Sequence, residues 1–190
     1  MRRAVWQQTW ARSDPRRLVF LDETATPTTL TRLRARAPIG VRAVGAVPHR
    51  RWQAVTLIAS LSLDGMGAAM SLDGALDRES FDAFIEQALV PILVPGQLVV
   101  LDNLAVHKSA RAIGAITRAG CSVVFLPPYS PDLNPIELAF SKLKHHLRTV
   151  QARTFATVVA ATGPALAAIT PADAAAFFAY CGYRQDGQLI

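Results

Sequence analysis

The sequence predicts an α/β domain, a mixed sheet with helices packed against it, and three observations carry that reading. Apolar runs at 18–21, 98–101 and 123–126 are short, unbroken and bounded by turn residues, as strands buried on both faces are. Between them lie segments with apolar residues at helical spacing, such as Phe81, Phe84, Ile85 and Leu89. The resulting order of strand, hairpin, helix, strand, helix, strand is that of a sheet covered by connecting helices. At 190 residues, 51% of them hydrophobic, the chain can bury one good-sized core and reads as one compact domain.

Residues 1–17 form a short Arg-rich lead with Trp6 and Trp10 four apart on one helical face, too short to hold without a surface to pack on. A strand follows over 17–23, ending in Asp22 and Glu23. Residues 24–51 read as a basic, loop-rich stretch punctuated by Pro38, Gly40, Gly45 and Pro48. Strands at 52–63 and 66–72 meet at Asp64-Gly65, a hairpin signal. A helix over 80–90 ends before Pro95-Gly96, and the run Leu98-Val99-Val100-Leu101-Asp102-Asn103 repeats the apolar-then-aspartate plan of the first strand. A helix over 107–119, a stop at Gly120 and a strand over 122–126 come next.

The stretch 126–137 is then the stiffest in the chain, with four prolines in twelve residues. Prolines fix φ and remove donors, so the segment is neither helix nor central strand but an elbow. Asn134 suits an N-cap and Pro135 a first helical position, which places Glu137 in the first turn of a helix running to about Thr149. Ile136, Phe140, Leu143 and Leu147 face the core on this spacing, and Glu137, Ser141, Lys144 and Arg148 form a polar ridge. Two short helices at 154–162 and 171–180 complete the chain.

The formal charge of +6 is uneven: +8 over 1–51, −6 over 52–106, +4 over 107–151 and zero over 152–190. Basic blocks at the start and around the elbow point to a polyanionic partner, nucleic acid first. Cys121 and Cys181 have no metal-type spacing, no signal peptide or membrane span is legible, and the expected location is the cytoplasm.

In open sheets functional groups gather where strands end. Asp22 and Asp102 stand at such ends, and if their strands are neighbours the two carboxylates share an edge that Glu137 can complete. Three clustered carboxylates repel unless a cation neutralises them, and hard oxygen donors favour Mg2+ or Mn2+. Two such ions about 4 Å apart suit phosphodiester chemistry. The plainer alternatives are that Glu137 closes a capping box with Asn134, and that the two aspartates merely begin turns.

Leu18-Val19-Phe20-Leu21-Asp22-Glu23, then Leu101-Asp102-Asn103 with His107 five residues after the aspartate, then the elbow through Glu137 with Leu143-Lys144, resemble the catalytic domain of a DDE transposase. The resemblance is to the bacterial insertion-sequence branch of the mariner-type superfamily, in which 34 residues separate the second and third acids, as 103–136 do here. It implies a ribonuclease H-like fold over 18–150, with 1–17 a lead and 151–190 a helical extension packed on the same domain. It implies that Asp22, Asp102 and Glu137 bind two Mg2+ or Mn2+ ions and act in DNA strand cleavage and transfer at element ends.

Asn103, His107 and Asn134 are implied in support of that site. DNA contacts are expected from Arg32, Arg34, Arg36, Tyr129, Lys142, Lys144 and Arg148. The seventeen leading residues cannot hold the helix-turn-helix that such enzymes commonly carry, so a separate helix-turn-helix chain is an expected partner, as is a homodimer. Two other classes remain: a non-catalytic DNA-binding or assembly remnant of a decayed element, and a ribonuclease H-like nuclease.

Overall fold

A computed structural model describes residues 3–10, 13–45 and 53–183. Its sheet has five strands: β1 (Leu18–Pro27), β2 (Ala54–Ser62), β3 (Gly65–Asp73), β4 (Leu98–Leu101) and β5 (Ser122–Phe125), in the order β3-β2-β1-β4-β5. The first three strands pair antiparallel, while β4 lies parallel to β1 and β5 parallel to β4. The sheet is therefore mixed, as the sequence predicts.

Helices α1 (Arg3–Thr9), α2 (Arg78–Phe84), α3 (Ala110–Arg118), α4 (Pro135–Val150), α5 (Phe155–Ala167) and α6 (Pro171–Tyr180) cover both faces. Strand alternation sorts the core into two layers. Leu18, Phe20, Ala59, Leu98 and Val100 point to one face and pack with α4, α6 and Trp6 of α1. Val19, Leu21, Ile58, Val99 and Leu101 point to the other and pack with α2 and α3.

Four elements differ from the sequence expectation, one of them the helix expected over 154–162, which runs on through Gly163 and Pro164 to Ala167. The first strand does not stop at residue 23, because pairing with β2 carries it through Thr24, Ala25 and Thr26 to Pro27. Asp22 therefore lies inside β1 rather than at its end. What ends beside it is β4, whose pairing with β1 closes at Phe20 and Val100. The helix expected over 80–90 is α-helical only to Phe84, then widens into a π-type turn over Ile85–Leu89 and a 3-10 turn over Val90–Ile92. Pro91 has no N–H to continue the ladder. The helix expected from His107 begins at Ala110, since Val106–Lys108 form a separate 3-10 turn and Ser109 is the N-cap.

The hairpin turns at Gly65, whose φ of 107° suits glycine and where a Cβ would lie 3.2 Å from the Ile169 carbonyl oxygen. The position expected to open the second strand, Trp52, lies outside the described residues. No single helix among the described residues is long and apolar enough to cross a membrane. Cys121 and Cys181 are buried free thiols.

Two long-range ties hold the elbow. Arg3 donates to Ser130 Oγ at 3.1 Å and pairs with both Asp132 carboxylate oxygens at 2.8 and 2.5 Å. On the buried side Trp6 Nε1 donates to the Tyr183 hydroxyl at 3.0 Å, and that hydroxyl donates to the Leu133 carbonyl at 2.6 Å. Tyr183→Phe removes the hydroxyl and leaves an indole N–H and a carbonyl without partners. The expected cost is about 2–4 kcal/mol, a fall of roughly 5–15 °C in Tm by scanning calorimetry.

Candidate active site

The register that places β4 beside β1 also sets the two aspartates side by side. Leu18, Val19 and Phe20 pair with Leu98, Val99 and Val100, so the same register continued by two residues brings Asp22 of β1 level with Asp102, one residue past the end of β4. Both belong to the face covered by α4, and Glu137 sits in the first turn of that helix. Asp22, Asp102 and Glu137 together line one open cleft of about 400 Å³, with Asn103, Leu104, Asn134 and the elbow residues 126–131 forming the rest of its wall.

The three acids differ in setting. Asp22 is only 7% exposed, and Glu137 is exposed. Asp22 Oδ1 accepts from the Glu23 backbone N–H at 2.8 Å and Oδ2 accepts from Asn134 Nδ2 at 2.7 Å. Burial pushes the Asp22 carboxyl up to about 7; the Glu23 N–H pulls the other way, and the charges of Glu23, Glu137 and Asp102 push it further. For Asp102, burial also acts upward, but the hydrogen bonds from His107 and the Leu104 N–H outweigh it and hold the group below its ordinary value.

His107 explains much of that contrast. Its ring is 0% exposed, 4.9 Å from the Phe81 ring, with Nδ1 at 2.5 Å from Asp102 Oδ1. Nε2 lies 3.0 Å from Glu23 Oε2, close enough for an ion pair though not aligned for a hydrogen bond. Burial opposes a charged ring, but the hydrogen bond to Asp102 and the nearby Glu23 carboxylate prevail and raise it to about 9. The ring is thus an imidazolium at neutral pH, with both N–H groups turned toward carboxylates.

Asn134 does not act as a side-chain cap: it occupies the N-cap position of α4 without a capping hydrogen bond and spends its amide on Asp22. The capping-box alternative for Glu137 is thereby removed. The turn alternative for Asp102 holds in part, since Oδ1 accepts from Leu104 N–H at 2.9 Å as in an Asx turn. The Asn103 amide donates to the Leu126 carbonyl, tying the exit of β4 to the start of the elbow.

The expected DNA contacts divide. Tyr129 lines the cleft at the tip of the elbow, fully exposed at 100%. Its φ of 53° is in the left-handed region, which costs a non-glycine residue about 1–2 kcal/mol. Arg32, Arg34 and Arg36 are exposed in the irregular segment after β1 and do not line the cleft. Lys142 is paired with Asp173 of α6 at 2.7 Å, and Lys144 and Arg148 are half-buried along α4. Glu23 is the site residue that sequence reasoning left without a role. Its signal was alternation: next to Asp22 on a strand, it must face the opposite layer, where His107 stands.

Whether these residues suit divalent ions rests on their donor chemistry. The donors are hard carboxylate oxygens, burial and then the neighbouring carboxylates raise the Asp22 carboxyl to about 7, and the buried Asn134 Oδ1 has no hydrogen-bond partner. Among the described residues no group of three or more His, Cys, Asp or Glu side chains is placed to hold a metal ion by itself, so an ion here would rest on one or two carboxylates with water and substrate oxygens. Mg2+ accepts such partial sets of protein ligands. The residues fit the group.

Known proteins resemble this chain in family and in fold. The profile described as DDE superfamily endonuclease matches residues 17–159. The fold superposes on that in a crystal structure of a pre-cleavage Mos1 transpososome with a TM-score of 0.74 at 16% identity, covering 94% of this chain and 56% of that one. On the Mos1 transposase catalytic domain with Raltegravir and Mg the values are 0.66 and 14%, covering 94% and 83%. On the catalytic domain of Mos1 mariner transposase alone they are 0.58 and 14%, covering 96% and 89%. At such identities the likeness is one of fold, the ribonuclease H-like fold, and the chain spans little more than half of the transpososome protein. No curated protein sequence matches. With its profile match running across most of the chain, this protein belongs to the DDE superfamily endonuclease family.

Proposed function

We propose that this chain is the catalytic domain of a transposase that cleaves and joins DNA strands at the ends of an insertion element. The observation that carries the reading is the convergence of Asp22, Asp102 and Glu137 on one cleft, with Asn134 bonded to the first and His107 to the second. Asp22, Asp102 and Glu137 would hold two Mg2+ or Mn2+ ions, and those ions supply Lewis-acid charge for phosphodiester displacement.

The remaining work belongs to the chain. His107 fixes the rotamer of Asp102 and keeps it ionised, and Asn134 fixes Asp22 from the opposite wall. Because Asp22 holds a proton up to about pH 7, it must release that proton before it can serve as a ligand, so affinity for the ions rises with pH through that range. The exposed Arg32, Arg34 and Arg36, with Lys144 and Arg148, would meet the phosphate backbone and account for salt-sensitive binding. Residues 18–150 would form the catalytic domain and 151–190 its helical extension, in which α5 and α6 pack on α4.

The test is a nicking assay on supercoiled DNA with Mg2+, EDTA and Mg2+ restored. Cutting is expected only with the ion, and Glu137→Gln is expected to lose about 10³-fold or more of it. Because Glu137 is exposed, its unfolding free energy should stay within about 0.5 kcal/mol of the parent. DNA binding that is indifferent to chelator and never followed by cutting would make the chain a non-catalytic module. Preference for an RNA–DNA hybrid would make it a hybrid nuclease.

A further inference from the structure

Tyr129 carries an inference that rests on the DNA-cutting reading of the cleft and deepens it. The turn at this position does not need an aromatic ring, since glycine or asparagine adopts the same left-handed φ at lower cost. Gln151, with a φ of 55°, has an ordinary reason for the same conformation because it terminates α4. Tyr129 terminates nothing, and its ring is fully exposed with no packing beneath it.

A single exposed tyrosine is unremarkable; one held in a strained backbone at the rim of a carboxylate-lined cleft is not. The mount is stiff as well. Pro127 and Pro128 precede the residue, Pro131 follows two positions later, and Ser130 Oγ is tied to the Pro128 carbonyl at 3.2 Å and to Arg3 at 3.1 Å. A backbone fixed in this way holds the ring's anchor at the rim, and a tyrosine has only two χ angles to lose when something is laid on it.

We propose that Tyr129 is a stacking post for an unpaired nucleobase next to the phosphate held in the cleft. The neighbouring acids Asp22, Asp102 and Glu137 repel phosphate oxygens in the absence of cations, so a contact that does not depend on charge is the kind this rim can offer. Stacking on a tyrosine accepts any base because every base has a π-face. Inside an intact duplex both faces of a base are covered, so only a base at a frayed end, at a nick or rotated out of the helix can use the post. The site would accordingly favour DNA ends and distorted steps over continuous duplex.

The test uses the full chain, with Ca2+ in place of Mg2+ to hold back cutting. The probes are a hairpin oligonucleotide with an unpaired 2-aminopurine at its 3′ end and the same hairpin with that base paired. The parent chain should bind the unpaired probe more tightly and quench its fluorescence. Tyr129→Phe and Tyr129→Trp should behave like the parent, whereas Tyr129→Leu should bind about 5- to 150-fold more weakly without quenching. Tyr129→Gly should lose the same affinity while melting at a higher temperature, because the backbone strain is relieved.

Quenching and binding by Tyr129→Leu equal to the parent would overturn the post while leaving the DNA reading intact. A loss in Tyr129→Phe as large as in Tyr129→Leu would overturn it too, by assigning the contact to the hydroxyl. A parent chain that binds neither probe would overturn the DNA reading itself, and the post with it.

Discussion

In chelator at pH 8, Asp22→Asn is expected to be more stable than the parent chain, and in Mg2+ it is expected to have lost at least about 10³-fold of its strand cutting. The stability half follows from the carboxyl's raised value of about 7. An unfolded aspartate ionises near 3.9, so between about pH 4 and pH 7 the folded chain binds more protons than the unfolded one. Stability contributed by this group is therefore greatest below pH 4 and falls as pH rises toward 7. Above that the folded chain carries a buried charge among like charges. At 1.36 kcal/mol per unit the penalty approaches about 4 kcal/mol, and the open cleft will reduce it to a few. Urea unfolding in EDTA at pH 5 and pH 8 measures it: the parent should lose stability between the two and Asp22→Asn should lose less. A gain in stability paired with a loss of cutting marks a site kept under electrostatic load for its function.

His107→Ala should give the opposite pairing, a loss of both. The imidazolium lies between Asp102 and Glu23, and deleting it leaves two carboxylates facing each other over a cavity beside Phe81. Breaking a buried pair from one side costs about 3–5 kcal/mol. The pH window differs from that of Asp22. With a folded value near 9 against about 6.5 unfolded, the stabilisation is fully present below pH 6.5 and fades as pH rises through 9. The stability gap between His107→Ala and the parent should thus be wide at pH 6 and narrow at pH 10. His107→Gln can still donate one hydrogen bond to Asp102. It should keep more of the fold while losing about 10- to 100-fold in Mn2+ affinity, readable by calorimetry without DNA.

What the sequence made legible follows from which forces act locally. Unbroken apolar runs mark β4 and β5, and the prolines of the elbow with Asn134 and Pro135 mark the start of α4 to the residue, because chain geometry alone dictates both. The far half of β1 was illegible since Thr24, Ala25 and Thr26 are no more apolar than a loop; their partner β2 makes them strand. Asp22 and Asp102 are legible as candidates because each follows an apolar run. Glu23 and Tyr183 were not, because their roles depend on His107, Trp6 and Leu133, which are distant in sequence and matched by no periodic pattern. Lys142 likewise shows as a free cation on a helix face until Asp173 of α6 is folded against it.

The ties that hold the elbow also say when the site can exist. Trp6 and Tyr183 are 177 positions apart, Arg3 and Asp132 are 129, and Asn134 and Asp22 are 112. Closing such loops carries an entropic cost that neighbouring contacts do not, so helices and the β2–β3 hairpin form early while these links close late. A chain caught partway through folding would hold its acids on separate pieces, with the elbow unanchored. On the proposed reading, competence to cut DNA arrives in the last stage of folding.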